Sequence, residues 1–216
     1  TPIRRQRQMC IRDRTNPKAA RQEMVRLYKL MEKHKILDPQ MPIPPGKFKN
    51  VVTTSALAGE TKYAFDFISR YKKSLPKEQA DDLENYGLGV VYFSERDYEK
   101  AQQHLAQVGR GNFHLSADAR VVQLKTYFEA DEGDLLENHA DTFGEFLRTK
   151  KDLPVQAKNH QNFISTAIAI YKLPTLPKEQ WKSKIAKIRK DLDTKSFNDK
   201  SWLEEKFTEQ LKRMKH

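Results

Sequence analysis

Apolar side chains return every three or four residues along almost the whole chain, a spacing that only helical backbone places on one face. Ala20, Met24, Leu27 and Met31 share this spacing, as do Ala64, Phe67, Ile68 and Tyr71, then Leu88, Val91 and Tyr92. Ala101, Leu105 and Val108 continue it, followed by Ala117, Val121, Leu124 and Phe128, and by Leu136, Ala140, Phe143 and Leu147. Further stripes run through Ile164, Ala167, Ile168 and Tyr171, through Trp181, Ile185, Ile188 and Leu192, and through Leu203, Phe207, Leu211 and Met214. Alternation with a period of two, the mark of a half-buried strand, is rare. The chain therefore reads as all-α.

Punctuation divides the pattern into hairpins. "MPIPPG" (41–46) is excluded from a helix interior, because proline lacks the N–H and collides with the preceding turn. "SLPKEQ" (74–79) and "TLPKEQ" (175–180) put proline at a first helical position with an acid in the first turn. Ser116 and Asp199 are expected N-caps. The turns "SERD" (94–97) and "DEGD" (131–134) are short enough to fold their flanking helices antiparallel. These signals predict helices over 17–35, 47–59, 61–73, 77–93, 97–108, 115–130, 134–148, 154–172, 177–192 and 199–214. The last, with Trp202, Leu203 and Phe207, is expected to cap the final hairpin.

A longer repeat underlies the hairpins. Leu57, Tyr92 and Tyr127 are spaced 35 residues apart, and the two LPKEQ segments 101 apart. A two-helix unit of about 34 residues is the length of a tetratricopeptide (TPR) repeat. "LGVVYFSERDYEKAQQHL" (88–105) resembles such a unit best. Leu88 and Gly89, Tyr92, Ala101 and Leu105 stand where TPR repeats carry Leu-Gly, an aromatic, a small residue and a bulky apolar one. Gly89 and Ala101 are small where two helices are expected to cross, and Tyr92 and Leu105 fill the adjacent groove. Asn85 replaces the usual first aromatic and Phe113 the closing proline, and the neighbouring units depart further. Residues 15–216 also resemble a group of bacterial TPR-like proteins without a characterised role, through "FKNVVTTSA" (48–56), "DYEKA" (97–101) and "DKSWLEEK" (199–206). The resemblance implies a right-handed α-solenoid of antiparallel helix hairpins. It brings no activity with it.

"RRQRQMCIRDR" (4–14) stands apart from this pattern and holds the single cysteine. Its basic residues suggest a phosphate-binding arm, but its back-translation resembles a transposon-end adaptor from sequencing libraries over eleven consecutive residues. Residues 1–14 are therefore expected to be a non-native, disordered segment, and 15–216 a helical repeat domain lacking its native N-terminus. Without residues 1–14 the formal charge falls from +11 to +7 and no cysteine remains. That removes disulfides and thiolate metal sites from consideration and points weakly to a reducing, cytoplasmic setting. Residues 15–147 are nearly neutral at −2, whereas 148–216 carry +9.

No catalytic arrangement emerges. The six histidines are scattered without HExxH or paired spacing, and nucleophile-elbow, P-loop and dinucleotide motifs are lacking. His139, on the stripe of Leu136 and Phe143, reads as a packed histidine. "EADEGD" (129–134) lacks the donor spacing of an EF-hand and reads as an inter-helix turn. The sequence predicts a non-enzymatic protein, with no cofactor or metal, that binds a protein or peptide partner. The alternative is a binder of nucleic acid or another anionic surface through 148–216, with Lys182, Lys184, Lys187, Arg189 and Lys190 as contacts. No run of 18 apolar residues exists to cross a membrane. The first helix is expected to leave apolar side chains exposed for a missing repeat.

Overall fold

A computed structural model describes residues 17–149 and 154–214 of the chain; the adaptor-like segment 4–14 lies outside the described residues. Among those residues there are ten α-helices and no strand. They are α1 (Pro17–Lys33), α2 (Pro45–Ala58), α3 (Thr61–Tyr71), α4 (Ala80–Ser94), α5 (Tyr98–Leu105), α6 (Phe113–Glu129), α7 (Gly133–Arg148), α8 (Pro154–Lys172), α9 (Lys178–Thr194) and α10 (Lys200–Arg213). No described helix is long and apolar enough to cross a membrane. The helices form two compact units that divide between Val122 and Gln123, within α6.

In the first unit α1 packs on α2, α2 on α3 and α4, and α4 on α3 and α5. Its core contains Phe48, Val51, Val52, Phe67, Ile68, Tyr71, Leu83, Val91 and Leu105. Phe67 stacks on Tyr71 with ring centroids 4.1 Å apart. Burying one such side chain contributes about 2–3 kcal/mol, and the stripe Ala64, Phe67, Ile68, Tyr71 is buried throughout. In the second unit α8 packs on α7, α9 and α10. Its buried stripes include Leu136, Ala140, Phe143 and Leu147 on α7, and Phe163, Ala167 and Ile170 on α8. Trp202, Leu203 and Phe207 of α10 are buried as well.

Local chemistry sets the helix ends. Asp97 caps α5 by accepting from Lys100 N, and Asp199 caps α10 by accepting from Trp202 N. Gly59 ends α2 in the left-handed region, at φ 83°, where a Cβ would be strained. Four expectations need correction. Residues 77–79 after Pro76 form a 3-10 turn, so α4 begins only at Ala80. Helix α5 stops at Leu105 short of Val108, because Gly109 N is drawn to Asp82 Oδ1 at 2.8 Å. Ser116 is not a cap: Asn112 Oδ1 accepts from Leu115 N at 3.1 Å, which starts α6 earlier and buries Ser116. On α1 the inward face is Val25 and Tyr28, whereas Met24 and Leu27 of the expected stripe are exposed.

Candidate partner-binding surfaces

Helix α1 has two apolar faces. Val25 and Tyr28 are buried, while Met24, Leu27 and Leu30 recur one turn apart on another side and are 40–50% exposed. Met31, next on that outer stripe, leads into a groove of about 330 Å³ floored by Leu37, Ile43 and Tyr71. The loop after α1 shapes the groove. Lys35 turns the chain in the left-handed region at φ 55°. Ile43 N then donates to Ser74 O at 2.9 Å, and the Ser74 hydroxyl donates to Pro39 O. Thus anchored, the loop leaves Ile36 and Met41 more than 60% exposed on the groove rim, beside Asp38 and Lys47. Of the exposed large apolar side chains among the described residues, all but Leu57, Leu135 and Val155 lie between Met24 and Met41. Isolated exposed apolar residues are ordinary, but a contiguous set marks an interaction surface.

The second unit contains an open cleft of about 610 Å³, lined by the 3-10 turn after α8, the start of α9 and the end of α10. Trp181 forms one wall, its indole N–H fixed by donation to Leu176 O at 2.9 Å. Lys178 Nζ lies 6.0 Å from the centre of that ring. Tyr171 forms another wall and donates from Oη to Asp131 Oδ1 at 2.9 Å. Burial, and then the Asp131 carboxylate, push its hydroxyl up to about 12, so it stays a donor. A Cβ on Gly133 would lie 3.1 Å from Tyr171 Oη, so the glycine admits the ring edge there. Arg213 and Met214 border the cleft beside Gln210, whose side chain is 6% exposed and whose Oε1 has no hydrogen-bond partner.

Beneath the cleft, buried charges fasten α10. Lys206, 4% exposed, pairs with Glu129 at 2.8 Å and Glu209 at 2.9 Å. Burial opposes its charge, but the hydrogen bonds to the two carboxylates outweigh it and raise its pKa. Glu129 also accepts from the Trp202 indole at 3.1 Å. Nearby, Lys125 pairs with Asp199 and lies 5.4 Å from the Trp202 ring centre.

Lys182, Lys184, Lys187, Arg189 and Lys190 are all exposed on α9, and none meets a described carboxylate at ion-pair distance. At 100° per residue they span about 220° of the helix. Glu179, Asp191 and Asp193 fall among them, so no single face is purely basic. Ile188 and Leu192 dock the opposite side.

The repeat-type residues lie together at the α4–α5 crossing. Ala101 and Leu105 are buried, Gly89 faces Leu105, and Leu88 and Tyr92 are half-buried against the first core. Tyr92 stacks on His104 at 5.4 Å and meets Phe65 edge-on at 5.1 Å. Asn85 Oδ1 lies 3.0 Å from His104 Nδ1, a polar contact between α4 and α5. His139 sits against Tyr127 and Phe143, and His160 is buried beside Phe143 and Asn198. Among the described residues no three His, Cys, Asp or Glu side chains gather as a metal site would require.

The expected exposure of apolar side chains on the first helix is met by Met24, Leu27 and Leu30, although the sequence places Met24 and Leu27 on the stripe that Val25 and Tyr28 replace. The second-unit cleft was not visible in the sequence, since its parts lie far apart in the chain. Comparison with family models, curated proteins and solved structures yields no match.

Proposed function

We propose that the chain is a non-catalytic protein–protein interaction scaffold, a right-handed α-solenoid of TPR-like helix hairpins that holds a protein partner. The antiparallel reading is supported by the packing of α2 on α3, α4 on α5 and α7 on α8, each pair joined by a short connection. The observation that carries the function is the exposed α1 stripe Met24, Leu27 and Leu30, followed along the chain by exposed Ile36 and Met41, which line the first-unit groove. Apolar side chains so grouped gain most by burial against another protein. The test is co-purification of a tagged chain with its partner under high salt. Leu27→Glu with Leu30→Glu is expected to release a defined protein partner while leaving the fold intact. Retention of that partner by the double variant would refute the assignment of this surface.

A second reading draws on the five unpaired cations of α9, which suit nucleic acid or another anionic surface. It predicts a salt-sensitive mobility shift with DNA, RNA or anionic vesicles, abolished when Lys182, Lys184, Lys187 and Lys190 become Glu. The acids interleaved on that helix favour the scaffold reading instead.

A further inference from the structure

We propose that the second-unit cleft is a separate docking site for an extended, acidic segment of a partner polypeptide carrying an apolar side chain. The proposal rests on the scaffold reading but uses a different surface from the α1 stripe. Three observations converge on this ligand chemistry. The walls supplied by Trp181, Tyr171 and Met214 offer aromatic and apolar area to a side chain, and the indole is held rigid by its bond to Leu176 O. Lys178 and Arg213 border the cleft, and neither meets a described carboxylate at ion-pair distance. Asp131, the one acid in the lining, accepts from Tyr171 Oη. With two cations against that one carboxylate, the lining is net positive. Lys182 follows Lys178 one helical turn along α9 and extends that positive edge.

Gln210 supplies the third observation. It is buried, lines the cleft and has an acceptor, Oε1, without a donor. A buried acceptor left unmade costs about 1–3 kcal/mol, and a ligand N–H recovers that cost when the Gln210 side chain turns its Oε1, shielded from water in the free chain, into the cleft. Main-chain N–H groups of an extended peptide are donors of the right kind, and a volume of about 610 Å³ accommodates several residues of such a chain. A phosphate backbone, by contrast, offers only acceptors to Gln210 Oε1.

The probe is a fluorescein-labelled decapeptide of aspartates and glutamates with a central leucine, titrated into the full chain and followed by anisotropy and by tryptophan emission. Binding is expected to shift the emission of Trp181, and Trp181→Phe is expected to abolish the shift, since the other tryptophan, Trp202, is buried. Lys178→Glu with Arg213→Glu is expected to weaken binding about tenfold or more, the effect of losing charge-assisted contacts. Lys184→Glu with Lys187→Glu makes the same charge change outside the cleft and is expected to leave affinity within about threefold, as screened distant charges do. Gln210→Leu is expected to weaken the peptide without lowering the melting temperature.

Equal weakening by the two charge-reversed pairs would overturn the proposal, leaving diffuse attraction. So would acid-peptide binding that leaves Trp181 emission unmoved, or a single-stranded oligonucleotide that displaces the peptide and binds more tightly. A neutral apolar peptide that shifts Trp181 and ignores the Lys178/Arg213 pair would overturn the acid preference alone. Because Leu27→Glu with Leu30→Glu lies on another surface, its outcome separates failure of the scaffold reading from failure of this site.

Discussion

The α4–α5 crossing and an open position on α7 give one substitution opposite signs at two glycines. A Cβ on Gly89 of α4 would sit 2.5 Å from Leu105 Cγ and 2.7 Å from Leu105 Cδ2, whereas one on Gly144 of α7 meets nothing within 4 Å. Glycine inside a helix costs about 1 kcal/mol relative to alanine. Gly144→Ala should therefore stabilise the protein by about 1 kcal/mol. At Gly89 the same gain is opposed by overpacking, because Leu105 is 2% exposed and its branch carbon, not a free methyl, must move. Overpacking costs about 1–3 kcal/mol. The upper end applies to a clash nearly 1 Å inside ordinary contact, so Gly89→Ala should destabilise by about 2 kcal/mol. Leu105→Ala alone should cost about 3 kcal/mol through its cavity. In that background the clash is gone, and Gly89→Ala should become stabilising by about 1 kcal/mol. Urea unfolding followed by circular dichroism measures all four variants. Gly89→Ala as stable as wild type, or no change of sign in the Leu105→Ala background, would refute the close-crossing argument.

The remaining predictions concern buried charge and the exposed stripe. Burial opposes ionisation of Asp199, but Lys125, the Ser201 hydroxyl and the Trp202 N–H outweigh it and hold its carboxyl below the usual range. Its contribution is therefore fully present above the unfolded value of about 4 and lost as pH falls through the lower folded value. Asp199→Asn keeps a capping oxygen but should cost about 2 kcal/mol at neutral pH, and the difference from wild type should vanish in acid unfolding titrations. Lys206→Met leaves Glu129 with only the Trp202 indole as a described donor in place of its ion pair, and should cost about 3 kcal/mol in thermal unfolding. Leu27→Glu with Leu30→Glu changes two exposed positions, so its stability should stay within about 1 kcal/mol of wild type.

The helical period was legible wherever a helix has one covered face, as with Ala64, Phe67, Ile68 and Tyr71 or Leu136, Ala140, Phe143 and Leu147. It failed on α1 because that helix carries two apolar faces, and periodicity alone does not say which one a neighbour covers. The Asp199 cap was readable from local chemistry. The Asn112 cap was not read from the sequence: asparagine and serine both suit the role, and which of them caps depends on how far Phe113 and Leu115 are drawn into the core. Lys125, Lys206 and Gln210 gave no warning of burial. Long polar side chains are normally exposed, and the partners Asp199 and Glu129 lie more than 70 residues away in sequence. The cleft eluded the sequence for the same reason, since Asp131, Tyr171, Trp181 and Gln210 meet only through tertiary packing.

The scaffold reading is tested most directly by photocrosslinking from position 27 in the native cell extract, with position 187 on the exposed side of α9 as the comparison. The reading predicts a discrete protein adduct from position 27 that persists in high salt and is lost when Leu30 becomes Glu. Adducts confined to nucleic acid or lipid, and formed from position 187 but not from position 27, would contradict it.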